Sequence, residues 1–244
     1  MKLEERANPG LHGHVLQRVA ALGLQPQARI LDVGCGSGAM LEQLAAAGCR
    51  HLFGLDIAPP ADSPSGITYC ACDLDVPRTP WPDAFFDLAL SVEVFEHVEN
   101  LGSLLAELAR LLAPGAHLLL TTPNVHAVEA RLRWLLLGQL KQFDAIGDPT
   151  HIYPVFRFPF ERLLRRHGFE VVRTWGFPED GSSPTSRPGL RLAARLLRLF
   201  GLAGSPSGDQ LCYLLRKPSL PAGRPPADKR SAVTAHYQQA AAPR

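Results

Sequence analysis

Residues 30–38 read Ile-Leu-Asp-Val-Gly-Cys-Gly-Ser-Gly. The β-branched and aliphatic run Ile30, Leu31 and Val33 suits a strand buried on both faces of a parallel sheet. Glycines at alternate positions 34, 36 and 38 then let the backbone turn sharply and come close to a ligand. Met40, Leu41, Leu44 and Ala47 mark a helix that leaves this turn with its N-terminus pointing back at it, and Gly48 ends the helix.

The same alternation of strand and helix continues. Leu11, Val15, Val19 and Leu22 recur at helical spacing up to Gly23, ahead of the first strand. Strands are predicted at 52–56, 67–72, 85–92 and 117–122, with a helix over 101–112 and a Pro114-Gly115 turn before the last of these. This order argues for a doubly wound, mostly parallel α/β sheet with right-handed crossovers. The second half is less regular. A helix with a basic and an apolar side is expected over 129–142, irregular chain over 143–158 and a helix over 160–167. A strand over 170–175, a loop over 178–188, a helix over 190–202 and a strand over 210–216 follow. The 244 residues suit one α/β domain, 1–217, with acceptor-side insertions at about 125–160 and 178–208. Residues 218–244 are rich in Pro, Ala and charge, lack hydrophobic periodicity and read as a disordered tail.

The glycines alone leave the ligand open, since Gly34, Gly36 and Ala39 also fit the dinucleotide fingerprint with Asp56 as its acid. Asp32 separates the readings. A carboxylate at this strand end repels a pyrophosphate and attracts an ammonium group. The run Asp32-Val33-Gly34-Cys35-Gly36-Ser37-Gly38 resembles the first motif of class I S-adenosylmethionine-dependent methyltransferases. Ser91-Val92-Glu93-Val94-Phe95-Glu96-His97-Val98 resembles the fourth-strand motif of the group that acts on small molecules, quinones and sugars.

The resemblance implies a seven-stranded Rossmann-like sheet closed by an antiparallel terminal hairpin, helices on both faces, and S-adenosylmethionine as cofactor. It implies that Asp32, Gly34, Cys35, Gly36 and Gly38 hold the methionine end, and that Asp56, with Ile57 behind it, accepts from the ribose hydroxyls. Asp73 would accept from the adenine amino group, with Asp75 a competitor, and the Leu74 amide would face the ring. Ser91 and Glu93 complete the cofactor side. An acceptor hydroxyl needs a base, and His97 and His151 are the candidates, His97 having a loop-orienting role as its alternative. The resemblance of Thr121-Thr122-Pro123-Asn124 to methyltransferases of polysaccharide and envelope biosynthesis extends the acceptor classes to glycans. No metal is expected, because only Asn124 suggests the acid-rich cluster a magnesium site needs.

The 25 basic against 23 acidic residues give a net charge of +2, which argues for no nucleic-acid partner. Five cysteines, with Cys70 and Cys72 as a C-x-C pair lacking a second pair, fit reduced thiols and no zinc site. The chain opens without a signal segment and has no run long enough to span a membrane, so the cytoplasm is the expected compartment. Arg187, Arg191, Arg195 and Arg198 share one stripe of the 190–202 helix. That helix is read as a lid or dimer helix with a solvated basic face, or as a peripheral contact with the inner face of an anionic membrane. The functional reading is methyl transfer to oxygen or nitrogen of a small-molecule, glycan or lipid-linked acceptor. A silent methyltransferase-like binding protein and a nicotinamide oxidoreductase are the alternatives.

Overall fold

A computed structural model describes residues 7–60, 66–145, 147–181, 188–200 and 207–219. The strands are β1 (Arg29–Val33), β2 (His51–Asp56), β3 (Ile67–Ala71), β4 (Phe86–Val92), β5 (Leu112–Pro123), β6 (Glu170–Phe177) and β7 (Gln210–Arg216). They form one sheet in the order β3-β2-β1-β4-β5-β7-β6. All neighbours are parallel except β7, which runs antiparallel to both β5 and β6. The order reverses between β1 and β4, so the carboxyl ends of these strands open the crevice where doubly wound sheets bind ligands.

Helices α1 (Leu11–Ala21) and α2 (Ala39–Ala46) cover one face, while α3 (Leu101–Leu111) and α5 (Arg157–Arg166) cover the other. The central strands are therefore apolar on both sides; Ile30, Leu31 and Val33 are at most 1% exposed. Helix α3 turns Leu101, Leu104, Leu105, Leu108 and Leu111 inward at three- and four-residue spacing, and the Asn100 side chain caps its first turn by accepting from the Ser103 amide. Leu105→Ala is expected to cost about 2–5 kcal/mol, read by urea denaturation. Helices α4 (Val128–Leu137) and α6 (Pro188–Leu199) pack against each other.

Four elements differ from the sequence reading by three or more residues at one end. The 129–142 helix stops at Leu137, because Gly138 adopts a left-handed conformation (φ 65°) and ends it as a C-cap. Helix α5 begins at Arg157 rather than 160, since Pro159 sits in the first turn, where its missing N–H costs nothing. Pro114-Gly115 does not separate α3 from β5; it forms an irregularity within β5, whose register against β4 shifts between Phe86 and Leu88. Helix α6 spans 188–199 instead of 190–202. Arg187, Leu202 and residues 220–244 of the expected tail lie outside the described residues.

Candidate active site

A cavity of about 610 Å³ opens at the carboxyl ends of β1 and β4, a volume suited to a cofactor-sized ligand. One wall is the glycine loop. Gly34 takes φ 69°, and a Cβ there would lie 2.5 Å from the Val94 side chain. Gly34→Ala is expected to destabilise by about 1–3 kcal/mol, measured by thermal or urea unfolding, from left-handed backbone strain plus that clash. Gly36 is different: a Cβ at this residue would meet nothing within 4 Å, and the residue lines the cavity, so its bare backbone leaves room for a ligand.

Asp32 is 3% exposed and faces this cavity. Burial, reinforced by Asp56, pushes its carboxyl up to about 8. Such a group calls for a cation, because an ammonium against it restores the solvation that burial removed. Asp56 accepts from the Gly36 amide (2.9 Å) and the Ala58 amide (3.0 Å), which fixes the carboxylate while leaving lone pairs for a ribose diol. The N-terminus of α2 points at the same space and favours a carboxylate. A buried acid for an ammonium, a helix start for a carboxylate and a fixed acid for a ribose fit the two ends of S-adenosylmethionine.

The opposite wall comes from the end of β4 and from residues 142–151. Glu93 is held in a left-handed conformation (φ 55°); it accepts from the Thr121 hydroxyl at 2.8 Å and from the Gln210 amide at 3.5 Å. Three residues on, a single 3₁₀ turn (Phe95–His97) buries Glu96 completely, with the Thr122 hydroxyl and its own backbone amide as its hydrogen-bonding neighbours. Burial, then the neighbouring Glu93, holds the Glu96 carboxyl well above the usual range. The Glu96 carbonyl accepts from the Ile152 and Tyr153 amides at 2.9 Å, which draws the far loop across. That brings His97 and His151 to 4.7 Å between ring centroids.

Both imidazoles are oriented through Nδ1. His97 Nδ1 donates to the Thr150 carbonyl (3.0 Å), with the Thr150 hydroxyl also at 2.9 Å, and His151 Nδ1 donates to the Gln142 carbonyl (2.9 Å). A carbonyl only accepts, so each Nδ1 carries a proton, and in the neutral tautomer this leaves the lone pair on Nε2. Burial lowers the His151 pKa from its ordinary value and keeps the ring neutral. Asp148 accepts from the Thr150 amide and hydroxyl and lies below the usual carboxylate range for that reason.

The loop that carries these groups is tied down by Lys141, which pairs with Asp209 at 2.5 Å, both side chains under 10% exposed. Asp209 precedes Gln210, so one end of β7 supports both Glu93 and the His151 loop. Lys141→Met should remove the buried cation that pairs with Asp209 and lower stability by about 3–5 kcal/mol, with the loss visible in urea unfolding.

The fold brings Asp32, Gly34, Cys35, Gly36, Asp56, Glu93, His97 and His151 to one cavity. Gly38 sits behind the loop against Tyr69. Ile57 is 72% exposed on the outer surface. Ser91 is fully buried inside the sheet and does not line the cavity, so its predicted contact with cofactor has no support in this geometry. Asp73 caps the Asp75 amide at 2.9 Å; it and Leu74 lie beyond the lining residues, at the β3 edge. Asn124, under 5% exposed, donates to the Gly208 carbonyl and joins β5 to β7 instead of facing a ligand. His12, Gln142, Gly147 and Thr150 line the cavity and were not singled out by the sequence, which gives no local signal for residues contributed by α1 and an irregular loop. Glu96 carries no sequence signal beyond its place in the fourth-strand segment 91–98. The expectation of no metal site looked for an acid-rich cluster; the fold instead gathers Glu96, His97 and His151, with ligand atoms within 4.8 Å of one another.

A methyltransferase-domain family model matches residues 5–174, more than two thirds of the 244-residue chain. The chain belongs to this methyltransferase family. The ubiquinone biosynthesis O-methyltransferase of Rhodopseudomonas palustris (strain HaA2) is 26% identical over 168 residues, 60% of this chain and 59% of the relative. Its namesake from Aromatoleum aromaticum is 30% identical over 159 residues, 61% and 66% of the two chains. The chain thus aligns with somewhat under two thirds of these relatives' length. Among solved structures, a S-adenosylmethionine-dependent methyltransferase from Mesorhizobium loti superposes with TM-score 0.53 at 22% identity, covering 85% of this chain and all of that one. Phosphoethanolamine N-methyltransferase 2 of Haemonchus contortus, bound to S-adenosyl-L-methionine, superposes at 0.58 with 16% identity over 86% and 53% of the chains. These likenesses are of fold. Asp32 and Asp56 are the groups in this chain whose chemistry fits the ammonium and ribose of S-adenosyl-L-methionine, the molecule bound in the Haemonchus structure.

Proposed function

We propose that this methyltransferase transfers a methyl group to a hydroxyl of a small molecule, with a phenolic quinone-type precursor as the first acceptor class and a sugar hydroxyl as the second. The observation that carries the reading is the pair of imidazoles, His97 and His151, on the cavity wall opposite the glycine loop, each with a bare Nε2. The cofactor supplies a methyl group on a cationic sulfur that leaves as a neutral thioether. Asp32, Asp56 and the glycine loop hold it in place, and alignment of the acceptor oxygen does much of the catalysis. His151 accepts the hydroxyl proton, its ring kept neutral by burial and oriented by the Gln142 carbonyl. His97, hydrogen-bonded to Thr150, packs edge-on against His151 and orients it. The relatives named for O-methylation in ubiquinone biosynthesis support a hydroxyl acceptor. Residues 1–217 are read as one catalytic domain with the acceptor side in its second half, and Asp73 and Leu74 as the adenine contacts.

A second reading is favoured by Glu96. A fully buried carboxyl with ligand atoms of His97 and His151 within 4.8 Å matches the donor set of a divalent cation, which would bind and acidify the acceptor hydroxyl.

Calorimetry of S-adenosylmethionine, S-adenosylhomocysteine and NAD against wild type and Asp32→Ala tests the cofactor side. Tight NAD binding without the sulfonium ligand would sink the proposal. Turnover with a short-chain polyhydroxylated phenol, assayed before and after EDTA, tests the acceptor side. Unchanged activity after EDTA supports the histidine base, and loss restored by magnesium or manganese supports the metal. Methylation confined to amines would overturn the hydroxyl reading.

A further inference from the structure

Fifteen large apolar side chains are exposed among the described residues, and eight of them lie on α4, on α6 and on the residue that follows α6. Residues 134–137, Trp-Leu-Leu-Leu, form the last turn of α4 and are 53–74% exposed. Leu192, Leu196 and Leu199 recur at four- and three-residue spacing, one stripe of α6, each at least 49% exposed. The two helices touch, so these side chains make one surface. A patch this concentrated marks an interaction site on a soluble face.

Among the described residues, the exposed charge of these two helices is of one sign. Arg131 on α4 and Arg195 on α6 are exposed, and α6 contains no acidic residue. The only acid of α4, Glu129, is 1% exposed and hidden beneath the helix. From these observations we infer that the α4–α6 surface docks peripherally on an anionic phospholipid bilayer. Leucines and Trp134 enter the headgroup boundary while the arginines meet lipid phosphates from its rim. No helix among the described residues is long and apolar enough to cross a membrane, so the contact lies in the interface plane. A second copy of the chain suits this surface less well, because a two-fold pairing would set arginines against arginines.

The position of the surface gives the docking a purpose. Helix α4 begins five residues after β5 ends at Pro123, beside the cavity, and its exposed last turn runs through Gly138 into the loop that supplies Gln142, Thr150 and His151 to the cavity wall. A bilayer seated on this turn places the acceptor wall next to the lipid phase, where an acceptor with a long hydrocarbon chain would reside. That consequence rests on the proposed hydroxyl methylation; the docking itself does not.

Co-flotation of the full chain with vesicles of phosphatidylcholine and phosphatidylglycerol, against phosphatidylcholine alone, tests it. Binding is expected only with the anionic lipid, falling as salt rises. The exposed double variant Leu136→Glu, Leu196→Glu should weaken it about tenfold or more, and Arg195→Glu should weaken it without touching the apolar stripe. Calorimetry with S-adenosylhomocysteine should be unchanged in both variants. Absence of vesicle binding, equal binding to neutral vesicles, or a dimer in solution that Leu196→Glu dissociates would each overturn the docking. Vesicle binding without affinity for S-adenosylhomocysteine would leave the docking standing and remove the methyltransferase reading instead.

Discussion

Asp32→Ala is expected to weaken S-adenosylhomocysteine binding by about 10- to 150-fold, the equivalent of about 1.5–3 kcal/mol for a charge-assisted hydrogen bond. The carboxyl is 3% exposed and raised to about 8 by burial and by Asp56. In the ligand-free protein near neutral pH it is therefore largely protonated, and an incoming ammonium must drive the proton off. Two consequences follow from the sign of that shift. Calorimetry at pH 7 in buffers of different ionisation enthalpy should reveal a proton released on binding, and affinity should increase as pH rises toward about 8. The ligand-free fold binds more protons at this site than the unfolded chain does, so its stability should decline between about 4 and 8, and cofactor should remove that decline. Asp32→Asn separates charge from shape. It should lose affinity nearly as severely as Ala while abolishing the proton release; retained affinity in Asn would mean that Asp32 acts as a neutral hydrogen-bonding group and not as an anion.

The second large effect is at His151. Removing a general base costs about 10²–10⁴ in rate, so His151→Ala should lower kcat by that range with little change in the affinity for S-adenosylhomocysteine. Burial lowers the His151 pKa, and the active form is the neutral ring. Acid loss of kcat/KM should accordingly lie below the pH at which an ordinary histidine titrates, and in His151→Ala the residual rate should keep rising with pH as hydroxide and ionised acceptor replace the base. His97→Ala should cost less and shift the acid limb, since His97 packs against His151 and faces the same proton. Equal loss in both variants together with loss of activity in EDTA would assign the pair, with Glu96, to a bound cation.

Much of the fold was legible because its signals are local. Strands β1 to β4 and helices α1 to α3 each carry their own period and punctuation, with Gly23 and Gly48 as stops, and the structure reproduces them within a residue or two. One wall of the cavity was legible for the same reason: Asp32, Gly34 and Gly36 are neighbours in sequence, and their spacing dictates a tight turn, which the structure sets on the cavity. Where the reading slipped, the local signal was ambiguous. Trp-Leu-Leu-Leu before Gly138 looks like helix in either register, and only the left-handed Gly138 marks the end. Ser91, placed by its motif, is fully buried in β4 and lies outside the cavity lining, which its position in the motif does not disclose.

By itself, then, the sequence determined that the chain builds a parallel sheet with a glycine turn and a buried acid at its switch point, and a family resemblance that the match over residues 5–174 confirms. Its periods and turn residues act over a few positions, and so do the forces that obey them. The opposite wall of the cavity was decided only by tertiary structure. His151 reaches His97 from 54 residues away because the Glu96 carbonyl holds Ile152 and Tyr153, and Lys141 finds Asp209 across 68. Nothing in the local pattern sets such pairings. They exist because buried polar groups must find partners, and which partner is near depends on how the whole chain packs.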